Sequence, residues 1–135
     1  MIVDLISQIV QALLADQDVK DMLDTYEIEG TTYYAVFSGQ VIPKSYQHMN
    51  NTILIYHTSP LGSGDIRPMT YSANCRQATD HNALSLGEKV YGVLNRTFRD
   101  VSSGKCYIRA GIQPVIYEDD NCWNCPVAIR VENNL

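Results

Sequence analysis

Apolar residues open the chain at helical spacing. Ile2, Leu5, Ile6, Ile9, Val10, Leu13 and Leu14 recur on one face with Asp4, Ser7, Gln8 and Gln11 between them, which predicts a surface helix with its apolar side on a core. After the break at Ala15-Asp16-Gln17, Asp18 is placed to cap a second short helix carrying Val19, Met22 and Leu23 and ending by Tyr26, with Asp21 favourable in its first turn. The period then changes. Residues 31–37 are β-branched and aromatic and close on Ser38-Gly39, which predicts a strand. Residues 51–56 predict a second one, apolar on both faces at Ile53, Leu54 and Ile55, as suits a central position.

From Thr70 to Arg76, Tyr71, Ala73 and Cys75 alternate with Ser72, Asn74 and Arg76, the pattern of a strand with one buried face. Thr79 or Asp80 then caps a long helix whose inward stripe is Ala83, Gly87, Val90, Tyr91, Leu94 and Phe98, with Arg96 and Arg99 at its C-terminal end. Gly87 and Gly92 each cost up to ~1 kcal/mol relative to Ala in a helix, which close approach to a sheet would justify. Cys106, Ile108, Ala110 and Ile112 predict a further strand that Pro114 kinks or places at an edge, continued by Val115, Ile116 and Tyr117. Residues 119–124 read as a hairpin connection, and Val127, Ile129 and Val131 as the inward positions of a last strand. The expected fold is α+β: one domain over residues 1–135, with an antiparallel or mixed sheet of four to five strands and the helices on one face.

With 135 residues, 45% of them hydrophobic, the chain can fill one core and is short for two. No apolar run reaches the ~18 to 20 residues of a membrane span, and no basic segment precedes an apolar one at the start. The expectation is a protein neither secreted nor embedded in a membrane. Ten Lys plus Arg against fifteen Asp plus Glu give a net charge of −5, which argues against whole-surface affinity for nucleic acid.

Candidate chemistry is sparse. Cys122-Trp-Asn-Cys125 has the spacing of a thiol redox centre or half a zinc site. Redox chemistry needs a thiol at a helix N-terminus, however, and zinc needs two more ligands, for which Cys75, Cys106, His48, His57 and His81 offer no second pair. The simplest reading of Cys122 and Cys125 is a pair of loop thiols around an anchoring Trp123, and of Cys75 and Cys106 small buried hydrophobes. The three histidines are scattered, Asp119-Asp120 reads as a solvated turn, and Gly62-Ser-Gly64 lacks the lysine of a phosphate loop. No catalytic residue and no cofactor is expected. Arg96, Arg99, Lys105 and Arg109 could meet a phosphate backbone, though charge at a helix end is the commoner role of such residues.

Nine tyrosines, several in loops or on polar faces, suit protein interfaces. A polar arm over residues 41–50 and a glycine-rich loop over residues 59–65 point the same way. The order of elements, the helix from Asp4 to Leu14, the strand Tyr71-Ser-Ala-Asn-Cys-Arg76, the helix from Ala83 to Phe98 and the closing strand pair together resemble the tail terminator (tail completion) proteins of long-tailed bacteriophages. That resemblance spans nearly the whole chain and rests on pattern. It implies a non-enzymatic virion protein, assembled in the host cytoplasm, whose copies form a hexameric ring on the tail tube. Such a ring ends tail polymerisation and offers a surface to the head-tail connector. Genomic DNA passes through it without specific binding, which an acidic lining favours. Lys44, Tyr46 and His48 in the arm, and Leu61 and Asp65 in the glycine loop, are the expected subunit or tube contacts, from loop placement and side-chain type alone. A head-tail connector or neck protein is the alternative, and a thiol or zinc enzyme using Cys122 and Cys125 the third.

Overall fold

The computed structural model describes residues 2–39, 44–46, 49–58, 69–101, 104–118 and 122–134. Among these residues three α-helices, α1 (Ile2–Leu14), α2 (Gln17–Lys20) and α3 (Asp80–Leu94), accompany nine strands. These are β1 (Thr25–Ile28), β2 (Thr31–Tyr34), β3 (Val36–Ser38), β4 (Thr52–His57), β5 (Met69–Gln77), β6 (Thr97–Val101), β7 (Gly104–Ile112), β8 (Ile116–Glu118) and β9 (Cys122–Asn134). The α+β class with a mixed sheet holds, but the expected four to five strands are too few. Seven strands form one sheet, in the order β3-β4-β5-β9-β7-β6 with β8 also on β9, and β1-β2 form a separate pair. Among the described residues β3 on β4 is the one parallel pair, and the other pairs are antiparallel.

The longest strand, β9, is the spine. Its residues 123–131 pair with β5 along one edge, while β7 and then β8 share the other. Ile112 lies opposite Val127 and Ile116 opposite Asn124, so four residues advance on one side against three on the other. The strand therefore continues past Pro114 through a bulge, where a residue without an amide proton costs no ladder bond.

Alternation along these strands sorts the core. Ile53, Ile55, Tyr71, Ala73, Cys75, Val127, Ile129, Val131 and Ile108 share one face, and the buried residues of all three helices join them in a single cluster. Leu5, Ile9 and Leu13 of α1 are fully buried, as the spacing predicts. The opposite face carries a smaller cluster of Ala35, Phe37, Met49 and Leu54 near β3, with Tyr46 packed against it, and none of the three α-helices.

Short-range signals misplace several boundaries. Asp16, not Asp18, caps α2, its carboxylate accepting from the Val19 amide at 3.0 Å, and the helix stops at Lys20. Thr79 caps α3 at 3.2 Å through the Asn82 amide. That helix ends at Leu94: Arg96 turns left-handed at φ 59°, the Thr97 hydroxyl donates to the Leu94 carbonyl at 2.7 Å, and the chain leaves as β6. Phe98 and Arg99 are thus strand residues, Phe98 being 54% exposed, and neither Arg96 nor Arg99 complements the helix C-terminus. Of the two helical glycines, Gly87 meets the sheet, a Cβ there falling 2.6 Å from Cys125 Sγ, while Gly92 faces open space.

Residues 31–37 form two strands instead of one. β1 and β2 make a hairpin whose two-residue turn has both φ angles positive, 50° at Glu29 and 81° at Gly30, the geometry that matches strand twist. Its base is pinned by Asp24, whose carboxylate accepts from the Asn51 amide at 3.1 Å and from the Asn51 side chain at 3.0 Å.

Candidate functional site

Because all three helices cover the same face, no described helix covers the middle of the main sheet on the other. Small residues on β5, β7 and β9, namely Ser72, Gly111 and Ala128, floor a groove of about 570 Å3 there. Tyr56, Arg109 and Arg130 stand around it, with Thr58, Thr70 and Gln113 at its ends. Short side chains on three adjacent strands leave the concavity, since a sheet face is filled only as far as its side chains reach.

The groove's electrostatics run against the molecule's. None of the described residues lining it is acidic, although the chain carries a net charge of −5. Arg109 and Arg130 lie directly opposite each other across the β7-β9 register, an arrangement of like charges that is unfavourable by itself. Arg109 lies over the Tyr107 ring, 5.7 Å from its centroid, and Arg130 reaches Glu132 at 3.3 Å with both side chains largely in water. An exposed pair of that kind contributes little, so the two guanidinium groups remain available to an anionic partner.

A second exposed feature is the β1-β2 hairpin. Ile28 is 47% and Tyr33 44% exposed, and all its residues but Tyr26 and Tyr34 are open to solvent. Its attachment is aromatic: the Tyr26 ring lies 5.6 Å from Tyr33, 5.7 Å from Phe37 and 4.5 Å from Tyr46 between centroids.

Among the expected contact residues, Lys44 is exposed on a single 3-10 turn over Lys44–Tyr46, and Tyr46 is half-buried in the aromatic stack that holds the hairpin. His48, Leu61 and Asp65 lie outside the described residues. Cys122 and Cys125 are not loop thiols; both are buried in β9. An offset of three along a strand sends them to opposite faces. Cys125 lies under Gly87 in the main core and Cys122 near the Asn50 carbonyl, so they do not form a two-thiol ligand set. Burial pushes the Cys125 thiol up, with the Glu88 carboxylate adding to the effect. Cys125 instead faces Cys75 across the β5-β9 register, and burial first, then Cys125, hold the Cys75 thiol well above its ordinary range. Among the described residues no three His, Cys, Asp or Glu side chains gather as metal ligands.

The basic cluster read from sequence is also divided. Arg99 pairs with Cys106, a helix-side residue, whereas Lys105 and Arg109 lie on the other face by alternation. Arg130 is the residue that sequence reasoning missed. Its only local mark is a polar position in an alternating strand, and its pairing with Arg109 is made by register across 21 residues of chain. No protein-family model, curated protein or solved structure matches the chain.

Proposed function

We propose that the chain is a structural assembly protein of a tailed phage or prophage, a subunit of the ring that caps the tail tube, ends its growth and receives the head connector. The observation that carries this reading is a pair of surfaces on one small α+β unit: a hairpin with most of its residues exposed and a charged sheet face that no described helix covers. Surfaces of this kind on a subunit are completed by neighbours. The pattern resemblance to tail terminators supplies the identity of the assembly, and the acidic balance suits a ring that DNA traverses without being held.

The test is electron microscopy of particles made after deletion of the gene, with tail lengths scored. Overlong, headless tubes are the expected result. Tails of normal length that fail to join filled heads move the role to the connector, and intact infectious particles overturn both.

A further inference from the structure

We propose that the acidic tip of the β1-β2 hairpin of one copy docks in the arginine groove of the next, so that copies of this chain join head to tail. The inference deepens the ring reading above by naming the contact between its subunits.

The two surfaces are complementary in charge. Between Thr25 and Tyr34 the hairpin carries Glu27 and Glu29 and no cation; both are exposed, Glu29 in the turn and Glu27 in β1 opposite Thr32. The groove carries Arg109 and Arg130 and no described carboxylate in its lining. Two arginines held opposite each other repel, and a pair of carboxylates delivered between them turns that cost into paired, water-poor hydrogen bonds. Guanidinium groups are the natural recipients because they bind carboxylates in a two-pronged geometry.

Size and shape agree. A volume of about 570 Å3 admits the tip of a two-stranded turn, and the small floor residues Ser72, Gly111 and Ala128 leave room for Ile28, which is otherwise 47% exposed. The hairpin is fixed to its own subunit by the Asp24-Asn51 hydrogen bonds and the Tyr26 stack, so it is presented preformed. Preorganisation of this kind lowers the entropic cost of docking. Since hairpin and groove are different surfaces, each bound copy still offers one of each. The contact is heterologous, the kind that builds a ring when the rotation between successive copies closes.

Sedimentation velocity on the full chain at low salt and high micromolar concentration tests this. The wild type is expected to sediment as a multiple of one chain. Glu27→Arg with Glu29→Arg, and separately Arg109→Glu with Arg130→Glu, are expected to give the mass of one chain with unchanged far-UV circular dichroism. Mixing the two variants restores complementarity at both kinds of junction and is expected to restore the wild-type mass. If the groove reversal unfolds the protein, Arg109→Gln with Arg130→Gln serves instead, with association weakened about tenfold or more, the equivalent of one lost close charge pair. A wild type that stays at one chain mass, a reversed variant that keeps the wild-type mass, or a mixture that fails to reassemble overturns the contact. Tail length is a separate readout. Normal, joined tails in the deletion strain would remove the termination reading and leave this contact standing, and unchanged masses would do the reverse.

Discussion

Gly87 shows how a single absent side chain sets the distance between a helix and a sheet. Alanine there gains up to ~1 kcal/mol of helix propensity. Its Cβ, however, lands 2.6 Å from the sulfur of Cys125, a fully buried residue, and overpacking a closed core costs about 1–3 kcal/mol. We expect Gly87→Ala to lower the urea midpoint, and Cys125→Ala in the same chain to recover part of the loss as a non-additive coupling. The buried hydroxyl and thiol groups set a pH response. Burial, aided by Cys106, pushes Tyr71 up to about 12, and burial raises Cys75, Cys106 and Cys125 above the ordinary thiol value of 9.0. Above that pH an unfolded chain releases protons that the folded one keeps. The folded state therefore binds more protons, and stability falls as pH rises. Urea midpoints should be level at neutral pH, where the contribution is fully present, and decline from about pH 9 upward as the pH approaches the raised folded values. A protein whose midpoint rises over that range would contradict the burial of these groups.

At the scale of the element, the hairpin and α3 mark what the sequence made legible and what it hid. The 3.6-residue stripe of α1 and the two-residue alternation of β5 are carried by each residue's own side chain, and both elements fall where the pattern places them. The end of α3 is hidden because its stop signal is not glycine or proline. It is a left-handed Arg96 and a Thr97 hydroxyl turned back on Leu94, and the stripe runs on through Phe98 as if the helix did. β1 escapes notice because it is four residues long, is separated from α2 by only four residues, and among the described residues pairs with β2 alone. An isolated two-stranded pair is marginal in water, so this one depends on its anchors. Tyr26→Ala removes the ring shared by Tyr33, Phe37 and Tyr46. We expect hydrogen-exchange protection to vanish from β1 and β2 while β5 and β9 stay protected, since local opening has its own free energy. Equal loss across β5 and β9 would mean the hairpin is part of the main cooperative unit.

For the whole molecule the telling quantity is where charge sits, not how much there is. A net charge of −5 is plain in the sequence, but the pairing of Arg109 with Arg130 follows from long-range register that no local pattern encodes. The candidate surface was therefore illegible even though each of its residues was in view. If the hairpin-groove contact carries assembly, raising salt toward ~0.5 M should shift sedimentation toward single chains, because screening shortens the reach of exposed charges to a few ångströms. An assembly indifferent to salt would have to be apolar. The seat of that contact also has a history in time. β9, the strand between β5 and β7, is the last of the described strands in chain order. As the chain is synthesised, Arg109 emerges without its counterpart, the β5 and β7 edges wait unpaired, and the helix-covered core stays open until β9 is inserted between them. Closing the helix-covered core and forming the groove are thus one event, the insertion of β9 between β5 and β7, so a chain in which β9 is not yet paired holds neither the finished core nor the arginine pair that the proposed contact needs.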